Sequence, residues 1–235
     1  MQIYKTGVKR GKHMEGQKMI IAKRMVWVLV LWIMTGGIFL IGKKGTEGVD
    51  SVQKEKMDVP YVRAYYDFLT EYAKDNLPDA KKIPKFDLIY IDNDDIPELL
   101  ILEDDCHAAG VKVYSYYDGE VVEIGDFGSF GKMQYVEKEG LIFSHFMGQG
   151  DASSDFLKME DGKAELLFYL HSYPDCNDRL KDLYEIDNVS VSEEVFNEKW
   201  KELYEDRDFI FIGYEDGIPI NETNLKEALL LKVSE

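Results

Sequence analysis

Acid–glycine pairs at Asp118-Gly119, Glu139-Gly140 and Asp161-Gly162 break the middle of this chain at steps of 21 and 22 residues. Between them the residues alternate apolar and polar. VKVYSYY and EVVEIG flank the first pair, KMQYVEK and LIFSHF the second, SDFLKME and KAELLFYL the third. Glycine accepts the positive φ of a tight hairpin turn, and period-two alternation presents one apolar face, so each unit reads as a β-hairpin. Upstream, DLIYI and ELLIL flank Asp92-Asn93-Asp94-Asp95 in the same manner. The pattern predicts an antiparallel meander of about eight strands; periodicity alone is compatible with an open, barrel-like or propeller-like sheet.

The period changes on both sides of this region. Pro60 suits the first turn of a helix, and Val62, Tyr65, Leu69 and Tyr72 follow at helical spacing, with Tyr66 and Ala73 widening the stripe. Asn76-Leu77-Pro78 ends it. Ser192 can cap a second helix with Glu193 and Glu194 in its first turn and Phe196, Trp200 and Leu203 as its buried stripe, Tyr204 beside it. Phe209 to Tyr214 reads as a further strand. Asn221 or Asn224 then caps a last helix with Leu225, Ala228 and Leu229. The expected class is α+β: a β-meander with one helix before it and two after.

The amino-terminal quarter is of another kind. Met25 to Ile41 (MVWVLVLWIMTGGIFLI) holds seventeen residues without a charge. Residues 1–24 carry seven basic residues and one acid, Glu15. At about 1.5 Å per residue the apolar run spans roughly 25 Å, close to the hydrocarbon thickness. Lys23, Arg24, Lys43 and Lys44 can snorkel to the interfaces, and the basic excess holds its own side in the cytoplasm. The expected layout is a cytoplasmic tail (1–24), a transmembrane signal-anchor (25–41), a polar, glycine-containing tether (42–57) and an extracytoplasmic domain (58–235). A cleaved secretory signal, cut near Thr35-Gly36-Gly37, is the rival and would give a secreted protein. Met14, Met19 and Met25 are alternative starts.

Beyond Lys44 the chain has 19 basic and 44 acidic residues, a net of −25. That charge repels nucleic acid and anionic lipid and attracts cations, although most of it reads as a solvated surface. Fifteen Tyr and twelve Phe in the whole chain argue against disorder in the domain. The two cysteines, Cys106 and Cys176, lie in turn-like polar stretches and can pair outside a membrane; their separation in space is not legible in spacing.

The segment with the most chemistry is IYIDNDDIPELLI, Ile89 to Ile101. It sets Asp92, Asp94 and Glu98 in a strand–turn–strand with an inflexible Pro97. Carboxylates two apart in a tight turn, with a third four later, can converge on a hard cation such as calcium. The bland alternative is a hairpin tip whose Asx side chains hydrogen-bond the backbone. The run resembles the Y-I-D-x-D-x-I-P-E-L segment of uncharacterised extracytoplasmic, often lipid-anchored proteins of Gram-positive anaerobes. More distantly it is similar to the D-x-D-G-D-G calcium loops of FG-GAP repeats in integrin-like propellers. Tyr90 stands where those loops have their first aspartate, Asp95 stands where they have glycine, and the signature occurs once. The broader resemblance follows element order over about residues 60–230 and implies an extracytoplasmic location and a fold, with no known activity.

The remaining motifs are weaker. In FMGQGDASSD, Phe146 to Asp155, no helix follows to form a phosphate loop, so a long hairpin connection or bulge is expected. His107, His145 and His171 read as structural; Cys106 with His107, or His171 with Cys176, lacks the spacing of a zinc module. Asp126-Phe127-Gly128 has none of its kinase partners. There is no G-x-S-x-G, H-E-x-x-H or dinucleotide fingerprint.

Two functions therefore compete. One is a non-enzymatic, membrane-tethered domain binding a protein, peptide or glycan, with Tyr114, Tyr116, Tyr117 and Phe130 as its aromatic face. The other is a cell-surface hydrolase acting on wall glycans through Asp92 or Asp94 with Glu98. A structural or sensory accessory to an envelope complex is a third. Calcium is the only cofactor the residues suggest.

Overall fold

The computed structural model describes residues 55–79, 82–104, 106, 108–178, 181–205, 207–213 and 216–234. The expected tail, membrane span and most of the tether lie outside these residues. Among the described residues no helix is long and apolar enough to cross a membrane.

Helix α1 (Pro60–Asn76) has Pro60 in its first turn and buries Val62, Tyr65, Leu69 and Ala73. Val62 and Leu69, taken fully from water, each stabilise the fold by roughly 1.5–3 kcal/mol, and the methyl of Ala73 by about 0.8 kcal/mol. Strands β1 (Lys85–Ile89), β2 (Glu98–Leu102), β3 (Val111–Tyr117) and β4 (Glu120–Phe127) follow as an antiparallel meander. A second run comprises β5 (Gly131–Val136), β6 (Leu141–Gly148), β7 (Asp151–Glu160), β8 (Lys163–Pro174), β9 (Asp182–Ile186) and β10 (Val189–Val191). Helix α2 (Glu193–Trp200) starts at Ser192, whose side chain accepts a hydrogen bond from the Val195 N–H, and runs into a π-helical turn, Lys201–Glu205. Short strands β11 (Ile210–Phe211) and β12 (Ile218–Pro219) precede α3 (Leu225–Lys232).

The class is α+β, with two antiparallel sheets. The eight strands read from the hairpin pattern are β1 to β8, and each pairs with its chain neighbour except at one place. The meander breaks between β4 and β5, giving a five-stranded sheet in the order β12-β1-β2-β3-β4 and a seven-stranded sheet in the order β10-β9-β8-β7-β6-β5-β11. The break falls on Gly128-Ser129-Phe130. Gly128 has φ 76°, and a Cβ there would lie 2.5 Å from the Met133 nitrogen, so only glycine lets the chain turn back this tightly.

Strand β2 shows why one sheet is not enough. Every residue of ELLIL is buried, so the strand needs cover on both faces. Leu99 and Ile101 face α1 and α3 and share a core with Tyr65, Leu69, Phe86 and Leu229. Leu100 and Leu102 face the second sheet and pack with Val113, Met133, Ile142 and Met159. On the outer face of the second sheet, Phe143, Phe156 and Leu170 pack under α2 and its π turn, through Phe196, Trp200, Leu203 and Tyr204. The layers therefore run helices, sheet, sheet, helix.

Candidate functional site

The eight residues linking β1 to β2 form the acidic loop. Asp92 Oδ1 accepts the Asp94 N–H at 3.2 Å, and Asp94 Oδ1 accepts the Ile96 N–H at 2.8 Å. Asp95 occupies the left-handed region at φ 62°, which asparagine and aspartate tolerate better than most residues. The Tyr65 hydroxyl, buried in α1, donates to the Pro97 carbonyl at 2.8 Å and ties the end of the loop to the first core. From the second sheet, the Gly140 N–H donates to the Ile91 carbonyl at 2.7 Å and the Lys138 N–H to the Tyr90 carbonyl at 3.0 Å. The β5–β6 turn thus clamps the acidic loop from the other side. The expected Asx hydrogen bonds are present, and they coexist with convergence of the carboxylates.

One carboxylate oxygen from each of Asp92, Asp94 and Glu98 lies within 4.8 Å of the other two. Their surroundings differ sharply. Asp94 is exposed and Asp92 half-buried, whereas Glu98 is fully enclosed at 0 % exposure. Glu98 Oε2 accepts the Ile91 N–H at 2.7 Å. Among the described residues Glu98 Oε1 has no hydrogen-bond partner. Burial pushes the Glu98 carboxyl up to about 8, with the neighbouring Asp92 and Asp94 charges adding to the effect against the Ile91 hydrogen bond. Asp92 is raised as well, chiefly by burial and then by the Asp94 charge, against the hydrogen bond from the Asp94 N–H and the charge of Lys158. An unpaired buried carboxylate oxygen is among the costliest features a fold can carry. A hard cation would satisfy it, and the donor set is all oxygen, as calcium requires. The loop opens on a cleft of about 270 Å³ bordered by Asp92, Asp94, Tyr117, Lys138 and Glu160.

The four expected aromatic-face residues do not form one face. Tyr114 is buried, its ring centroid 4.7 Å from that of Phe68 on α1, and Tyr116 is half-buried against the same core. Their side of β3 is the side that α1 covers, which alternation cannot reveal. Tyr117 is exposed beside the acidic cleft. Phe130 is exposed on the other sheet, 6.4 Å edge-on from Phe146. Cys106 and Cys176 are free thiols, in the β2–β3 and β8–β9 connections of different sheets.

His145 is structural. Its Nδ1 lies 2.8 Å from Ser154 Oγ, its ring stacks on Phe143, and burial and then Lys132 lower its pKa. His171 lies between carboxylates, 2.8 Å from Asp151 and 3.6 Å from Glu185. His107 is outside the described residues. Among those described, Asp92, Asp94 and Glu98 are the one group gathered for a metal. The Phe146–Asp155 segment holds a two-residue hairpin turn at Gln149-Gly150, both at positive φ, with Asp151, Ser153 and Asp155 on the strand that follows. Sequence reading passed over the period-two set Tyr169, His171 and Tyr173 on β8, which places all three on one face. No protein-family model, curated protein or solved structure matches the chain.

Proposed function

We propose that this chain is a membrane-anchored, extracytoplasmic binding module whose β1–β2 loop holds a calcium ion through Asp92, Asp94 and Glu98. The observation that carries the cation is the orphaned Glu98 Oε1, enclosed and set among two further carboxylates. The ion would favour the ionised Glu98 carboxylate that burial otherwise opposes, and it would fix a loop already tied to α1 by Tyr65 and to the second sheet by Gly140. The anchor reading rests on Met25 to Ile41 and the basic residues before it.

A hydrolytic role for the same carboxylates has less support. The raised Glu98 carboxyl has the electrostatics of a general acid. With no exposed surface, however, it cannot reach a glycosidic oxygen, and its oxygens lie closer to Asp92 and Asp94 than the roughly 5–9 Å that glycoside cleavage uses.

The test is a melt of the full-length chain in uncharged detergent with millimolar calcium and with chelator. Saturation about a hundredfold above Kd adds roughly 2.7 kcal/mol, a rise in Tm of several degrees. Glu98→Ala should abolish that rise. An unchanged Tm in the wild type refutes the ion. Protease added to intact cells should digest the domain; protection until lysis refutes the location.

A further inference from the structure

The face of the second sheet that looks toward the first is only partly used by their common core. One end carries Met133, Tyr135, Ile142 and Met159, which pack against the first sheet. Toward the other end the side chains change character. A continuous rung crosses five strands through Gly131, Phe146, Ser153, His171 and Glu185, each paired with the next. The adjoining rung runs Ser144, Asp155, Tyr169. Paired residues share a face, and so do residues two apart on a strand, so these groups stand together.

Tyr169, His171 and Tyr173 form a ladder of rings, with centroids 5.8 and 4.7 Å apart. Asp151 and Glu185 flank the imidazole, and the Tyr173 hydroxyl donates to Glu185 Oε1 at 2.9 Å. Phe146 and Phe130 border the ladder with exposed rings. Asp151 lies at hydrogen-bond distance from one ring nitrogen and Glu185 stands 3.6 Å from the other, so the imidazole is set wholly among carboxylates. The two rungs carry no lysine or arginine. Even with His171 protonated, Asp151, Asp155 and Glu185 leave at least two negative charges uncompensated. Asp155 makes no ion pair among the described residues, and burial alone raises its carboxyl.

We propose that this acidic, tyrosine-lined face docks a basic peptide, an arginine or lysine side chain lying along the Tyr169–His171–Tyr173 rings between the carboxylates of Asp151, Asp155 and Glu185. The commitment to a cationic partner comes from charge complementarity. Aromatic faces attract cations, and a guanidinium both stacks on a ring and forks a carboxylate. The inference rests on the binding-module reading and is independent of the calcium loop.

The test titrates the full-length chain, in uncharged detergent and near-physiological salt, with a short blocked peptide carrying three arginines. The same peptide with citrulline in place of arginine serves as the uncharged control, and a chito-oligosaccharide as the glycan probe. The Asp151→Asn, Glu185→Gln double variant should weaken arginine-peptide binding about tenfold or more. Asp118→Asn with Glu120→Gln removes equal charge at the exposed β3–β4 turn and should change it less than about twofold. Should the first variant fold poorly, Asp155→Asn breaks no ion pair and should still weaken binding several-fold. Equal losses in face and turn variants, or no preference over citrulline, would overturn the proposal by reducing it to bulk charge. Saturable binding of the oligosaccharide in place of the peptide would also overturn it and would leave the binding-module reading standing.

Discussion

Replacing Glu98 by glutamine should stabilise the cation-free protein, in a manner set by pH. The Glu98 carboxyl stands near 4.5 when unfolded and is pushed up to about 8 in the fold, first by burial. Because the folded value is the higher one, the favourable contribution is complete below about pH 4.5 and is lost progressively as pH rises toward 8. A displacement of that size corresponds to roughly 5 kcal/mol across the window, most of it already lost at pH 7. Glutamine keeps an oxygen for the Ile91 N–H and supplies an amide toward Asp92 and Asp94, and it does not titrate. Urea unfolding in chelator at intervals from pH 5 to 8.5 measures the difference. Near pH 5 the two proteins should be nearly equal; at pH 8 the variant should be more stable by several kcal/mol. The other raised carboxyls, Asp92, Asp126 and Asp155, shift both proteins in the same direction and largely cancel in the comparison. Millimolar calcium should narrow the gap at pH 8 by about the 2.7 kcal/mol that saturation adds to the wild type, because the variant lacks the Glu98 carboxylate. A variant less stable than the wild type at pH 8 in chelator, or two parallel pH profiles, would refute the reasoning.

Further outcomes concern the surroundings of that site and the second sheet. Tyr65→Phe leaves the Pro97 carbonyl without its donor and should lower unfolding free energy by about 1–3 kcal/mol in urea, with weaker calcium binding by calorimetry. Phe143→Ala removes the ring shared by Phe156, Trp200, Tyr204 and Phe209 and should cost about 3–5 kcal/mol, with amide exchange rising first in α2. His145 has a folded pKa below its unfolded 6.5, so its contribution holds above that pH and is lost on acidification below it; His145→Gln should flatten the fall in urea stability between pH 7 and 5.

Local chemistry made most elements readable before any coordinates. Pro60, the Val62–Tyr65–Leu69 spacing and the Ser192 cap marked two helices, and the acid–glycine turns at 118–119 and 161–162 adopt the paired positive φ that hairpins need. The Asp187-Asn188 turn and the hairpin of β9 and β10 were missed, since two adjoining acid–amide residues signal a turn less strongly than glycine does. The division into two sheets was also not legible. It depends on which faces of β2 and β3 find cover, a long-range matter, although the unbroken apolar run of ELLIL was a sign that one covered face would not suffice. At the site, Asp92, Asp94 and Glu98 could be named from spacing, but the burial of Glu98 could not. It follows from the β5–β6 turn, some forty residues away, closing over the loop. Tyr114 failed as a surface residue for the same reason: the sequence shows that it alternates, and α1 decides which side is inside.

The path of the chain after α2 carries a consequence for biogenesis. Residues 210–211 complete the edge of one sheet beside β5, residues 218–219 complete the edge of the other beside β1, and α3 then roofs the first core. The last strand to arrive must find a partner more than 130 positions upstream. Residues 210–232 must therefore be synthesised, and clear any export machinery, before the domain can close, and a nascent or clipped chain lacking them would present an unguarded β1 edge and a bare apolar floor to whatever it meets first.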